Sequence, residues 1–200
     1  MLGYYWNRCP NKIGIDDRID WNTHLREGEF EKSAQELTEA IRIYERLLGP
    51  FTTLSARVCR IEALIQLGKL DKAYQECLAV FALERRGSNS HLDMVDVTAT
   101  YHAAVIQYKQ NDFEKAALYL AEFMTKSQKM CKNALDEKTY TALNAKGVFT
   151  GEDPNNVTTL KIRHTFKKCA EIFMSLYSAS IYGSKHPFLT HYVDTFMESN

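Results

Sequence analysis

Along most of the chain, apolar residues recur three and four positions apart, the spacing of one face of a helix. Phe30, Leu37, Ala40, Ile41, Tyr44, Leu47 and Leu48 predict a helix from Phe30 to about Leu48. Gly49-Pro50 ends it, because proline donates no backbone hydrogen bond and disfavours helix in the residue before it. Leu54, Val58, Ile61, Leu64, Ile65 and Leu67 predict a second helix, with Thr52 or Thr53 as its cap. A third runs from Leu70 to about Glu84, and the polar stretch 85–90 reads as a loop. Further helices are expected from about Leu92 to Gln110, from Phe113 to about Cys131, from Asp136 to Lys146 and from about Val157 to Tyr182. A weakly periodic helix carries Ile15, Ile19 and Leu25, and a short terminal one carries Phe188, Leu189, Tyr192, Val193 and Phe196. Residues 147–156, with two glycines and Asp153-Pro154, are the best candidate for a mobile loop.

One phrase recurs between these helices. Gly28-Glu29-Phe30-Glu31-Lys32-Ser33, Gly68-Lys69-Leu70-Asp71-Lys72-Ala73 and Asn111-Asp112-Phe113-Glu114-Lys115-Ala116 share an order. A residue tolerant of the left-handed conformation comes first, then any residue, a large apolar one, an acid, lysine and a small residue. The acid in the first turn suits the helix dipole, and the small residue lets two helix backbones approach closely. Phe30 to Leu70 is 40 residues and Leu70 to Phe113 is 43, periods that mark stacked helical hairpins.

Composition narrows the class without naming a function. The 25 basic and 25 acidic residues balance, so no global field draws the chain to nucleic acid, and none is expected as a partner. No apolar run reaches the roughly 18 residues of a membrane span. The N-terminus lacks the basic-then-apolar pattern of a signal peptide, so a cytoplasmic location is expected. Five scattered cysteines without a CxxC pair read as free thiols of a reducing compartment, mostly packed as small apolar groups.

The bends, the run Ala40 to Pro50 and the exit phrase Tyr182-Gly183-Ser184-Lys185-His186-Pro187 together resemble tetratricopeptide repeats, in the longer form seen in kinesin light chains. The chain departs from that pattern at Ser33, where alanine is usual, at Asn111 and across 132–156. The resemblance implies an all-α, right-handed solenoid of about three regular hairpins over 15–131. An N-terminal arm over 1–14 precedes it. An irregular segment over 132–156 follows, and then a helical cap over 157–200. It also implies that the first helix of each pair lines a concave groove. Arg18, Asn22 and Arg26 would face that groove from the first pair, Val58, Glu62, Ile65 and Gln66 from the second, and Tyr101, Val105, Tyr108 and Lys109 from the third. Arg18, Asn22, Arg26 and Glu62 are expected to be exposed. For Val58, Ile65 and Tyr108, burial between helices is the competing account.

A second candidate surface is the basic start of the last long helix: Lys161, Arg163, His164, Lys167 and Lys168. Residues 161, 164 and 168 share a face, as do 163 and 167, so the group suits a phosphate or an acidic partner segment, or simply a solvated face. Catalysis has little support. The six histidines form no HExxH, and neither a phosphate-cradling glycine loop nor GxSxG occurs, so no catalytic residue, metal or cofactor is assigned. The expected function is a non-enzymatic adaptor holding a peptide or helix of another protein in the groove. The alternative is a structural or regulatory subunit docking its outer helices into a larger assembly or a homodimer.

Overall fold

The computed structural model describes residues 24–25, 27–84, 93–151, 153, 156 and 158–179. The arm, most of the first helix, the 85–90 loop, the exit phrase 182–187 and the terminal helix lie outside them, as do Arg18, Asn22 and Arg26. Every regular element among the described residues is helical: α1 Phe30–Leu48, α2 Leu54–Gln66, α3 Leu70–Glu84, α4 Asp93–Lys109, α5 Phe113–Ala134, α6 Glu137–Ala145 and α7 Thr159–Ala179. A 3-10 turn, Pro50–Thr53, joins α1 to α2. None of the described helices is long and apolar enough to cross a membrane. The chain divides into two compact units, one reaching Ile106 and one running on from Gln107.

The recurring phrase has one backbone geometry. At Gly28, Gly68 and Asn111, φ is 77°, 69° and 62°. The N–H of each bonds the carbonyl three residues back, at Leu25, Ile65 and Tyr108. The next N–H, from Glu29, Lys69 or Asp112, bonds the carbonyl five back at 2.9 Å in all three. This pair of bonds satisfies helix-end carbonyls that otherwise lack partners. Gly147 repeats the arrangement at the end of α6, with φ 66°, although no helix follows it directly. The small residue of each phrase, Ser33, Ala73 or Ala116, is wholly buried, as close helix approach requires.

Thr52 and Thr53 do not cap α2 with their side chains. Their hydroxyls donate backwards, to Gly49 O and Pro50 O, both at 2.7 Å, and so build the 3-10 turn instead. Gly147 to Asn156 is also less loose than expected in its first half. Val148 is buried, Phe149 stacks on Tyr140, and a Cβ at Gly151 would stand 3.4 Å from Ala121 Cα of α5.

In the unit reaching Ile106, α2 packs against α1 on one side and α3 on the other. Leu37, Ile41, Leu54, Val58, Ile61, Ile65, Cys77 and Val80 supply its core. Arg57 of α2 bridges Glu45 of α1 and Glu76 of α3, and Arg60 joins the same Glu76 carboxylate. Opposite charges at one level of three neighbouring helices thus fix their register. In the other unit, α5 packs on α7 and touches α6. Phe123 meets Phe173 with ring centroids 5.2 Å apart.

From Val95 to Gln107, every residue of α4 except Asp96 is buried. The sequence marks one apolar face there, through Val95, Tyr101, Ala104 and Val105. The opposite side is closed as well, because Thr98, Ala99, Thr100 and Ala103 are small enough to be covered closely. A helix enclosed all round is core rather than wall.

Candidate functional site

Glu62 was expected to be exposed on a groove, and the structure corrects this: it is 4 % exposed. Its Oε1 accepts a 2.8 Å hydrogen bond from Gln66 Nε2, one turn along α2. Its Oε2 lies 3.6 Å from Nδ1 of His102, a wholly buried residue of α4. The rings of Tyr101 and His102 meet at 66°, with centroids 6.2 Å apart. Burial pushes His102 down to about 3, so the ring is neutral at ordinary pH. The carboxylate is set in the core because it shares a helix face with Val58, Ile61 and Ile65, all buried. Val58, Ile65, Tyr101 and Val105 are likewise buried. Gln66 is half-buried. His102 was not singled out from sequence; the signal available was a histidine within an otherwise small and apolar run, Thr98 to Ile106.

In the other unit, Tyr108 is half-buried and Lys109 exposed. Tyr108 packs against Phe113 and Phe166, with centroids 5.7 and 5.6 Å away. Its hydroxyl accepts a 3.1 Å hydrogen bond from Arg163 Nε. Two candidates placed on separate surfaces by sequence therefore meet.

The basic start of α7 is partly tied down. Lys161 Nζ donates to Asn156 O at 3.0 Å and Lys168 Nζ to Thr150 O at 2.9 Å. His164 and Lys167 are exposed, and Lys161, Arg163 and Lys168 half-buried. Thr158 Oγ1 accepts from the Lys161 N–H at 3.3 Å and so starts the helix.

Two further groups carry chemistry of their own. His24, Glu27 and Glu29, brought together by the Gly28 bend, have ligand-type atoms within 4.8 Å of one another. His24 Nδ1 bonds Glu29 Oε2 at 2.6 Å, and that bond together with Lys32 holds the Glu29 carboxyl below its usual range. Cys59, Cys77, Cys131 and Cys169 are buried thiols outside any disulfide. Burial pushes Cys131 up to about 12 and raises Cys77 and Cys169 as well, which suppresses thiolate chemistry.

No protein-family model matches the sequence, and neither a curated protein nor a solved structure matches it.

Proposed function

We propose that the chain is a non-enzymatic interaction module of tetratricopeptide-like hairpins that engages a partner protein through outer helix surfaces rather than through a concave groove. Support for the repeat reading is the shared bend geometry at Gly28, Gly68 and Asn111, each followed by a buried small residue. The observation that carries the choice of surface is the closure of Glu62, Tyr101 and Val105, while large apolar side chains elsewhere stay open. Leu47, Leu48 and Phe51, around the Gly49-Pro50 exit of α1, are between 43 and 50 % exposed. Apolar side chains clustered at one exposed corner are the usual mark of a contact surface.

The test is a tiled peptide array probed with the full chain, beside sedimentation velocity over a concentration series. Outer-surface docking expects capture, or self-association, that survives Gln66→Ala and Lys109→Ala and is lost with Leu48→Glu or Phe51→Glu. Capture that the first pair abolishes and the second leaves intact overturns the reading in favour of the groove.

A further inference from the structure

We propose that the outer face of α7 docks an acidic segment of a partner protein, its carboxylates meeting Arg163, Lys167 and Lys168 and an apolar side chain covering Leu160. This rests on the interaction-module reading and names the partner's chemistry. Leu160, His164 and Lys167 recur at helical spacing along one side of α7 and are all exposed. Leu160 is 78 % exposed, more than any other large apolar residue among those described. Ile162, Thr165, Phe166 and Cys169 turn to the core, so the two sides of the helix are cleanly divided.

The face is positive, and among the described residues no ion pair engages Arg163, Lys167 or Lys168. No acidic residue lies between Asp153 and Glu171 in the sequence. Glu171 is already engaged by Lys146 at 2.6 Å. The first turn of α7 has no acid and carries Lys161, a cation at the positive end of the helix dipole that a carboxylate nearby would relieve.

The cations are also held ready. Tyr108 Oη fixes Arg163 through Nε and leaves its terminal nitrogens available for a forked contact with a carboxylate. The carbonyls of Asn156 and Thr150 fix Lys161 and Lys168, each through one bond, and leave most donors of both ammonium groups unused. Side chains ordered beforehand lose less entropy on binding. A polyanionic nucleic acid fits less well, because the chain as a whole is neutral and a phosphate backbone offers nothing to Leu160. An anionic bilayer fits less well too, because it rewards several apolar side chains on a face, and this face has Leu160 alone.

The experiment is fluorescence anisotropy of the full chain with a labelled helical peptide of about 14 residues that carries glutamates and one leucine on a single face. Its glutamine counterpart, single-stranded DNA and phosphatidylserine vesicles are run alongside. The glutamate peptide should bind at least about tenfold tighter than the glutamine one, and weaken about tenfold between roughly 50 and 300 mM salt. Arg163→Glu, Lys167→Glu and Leu160→Ser should each weaken it severalfold, whereas Lys129→Glu, an equal charge reversal on exposed α5 surface, should not. Equal binding of both peptides, indifference to Arg163→Glu and Lys167→Glu, or tighter binding to DNA or vesicles overturns the proposal. If it fails while Leu48→Glu or Phe51→Glu still abolishes association, the α7 inference falls and the module reading stands.

Discussion

Arg163 Nε donates to Tyr108 Oη at 3.1 Å, which joins the last turn of α4 to the second turn of α7. The same tyrosine ring rests on Phe113 and Phe166, so packing and hydrogen bonding can be separated by substitution. Tyr108→Phe keeps the ring contacts and loses the bond, and should cost about 0.5–1 kcal/mol in urea unfolding. Tyr108→Ala loses both and should cost about 3 kcal/mol. Equal losses would show that the ring contacts contribute nothing.

Ser33 takes the place that alanine holds at 73 and 116. It is wholly buried, and its hydroxyl has no hydrogen-bond partner. Ser33→Ala should therefore raise stability, by about 1 kcal/mol in the same assay, because a desolvated hydroxyl is removed without opening a large cavity. A loss of stability would mean that the hydroxyl is satisfied in solution.

Asn111 holds φ 62° without being glycine. Asn111→Gly should raise the melting temperature slightly, and Asn111→Ala lower it, with about 1 kcal/mol between the two. Gly68→Ala should cost a similar amount through backbone strain alone, since a Cβ there meets nothing within 4 Å.

His102 makes stability depend on pH. Its value in the fold, about 3, lies below that of the unfolded chain, near 6.5, so the unfolded state takes up a proton that the folded state refuses. The His102 contribution is thus intact above pH 6.5 and declines as pH falls from there towards 3. Between pH 8 and pH 5 the loss should be about 2 kcal/mol, read from urea midpoints. In His102→Gln that part of the pH dependence should vanish. An unchanged slope in the variant would place the titration elsewhere.

Much of the helix order was legible in the sequence because each boundary has a local cause. Phe30 and Leu48 bound α1 as the periodicity and Gly49-Pro50 require, and Gly68 and Asn111 end their helices through backbone conformation alone. The site was harder to read. Periodicity says which face of a helix is apolar, but not whether the polar face meets water or another helix. Glu62 looks like a surface residue in one dimension and is interior because His102 of α4 stands against it, while Gln66, one turn on, stays half-buried. Likewise the Tyr108–Arg163 pair spans 55 positions, and no spacing rule links two such residues. Thr52 and Thr53 look like cap residues in sequence for a local reason: a hydroxyl that bonds backwards to a carbonyl builds a turn, and the same residue type serves both uses.

The central claim, that α4 is enclosed core and partners are met on outer helix surfaces, is tested most directly by hydrogen–deuterium exchange of the full chain. Amides from Val97 to Ile106 should be among the slowest in the protein, far slower than those of the exposed side of α1. Rapid exchange along that segment, on the timescale of the α1 surface, would contradict the account and return Tyr101 and Glu62 to an open wall.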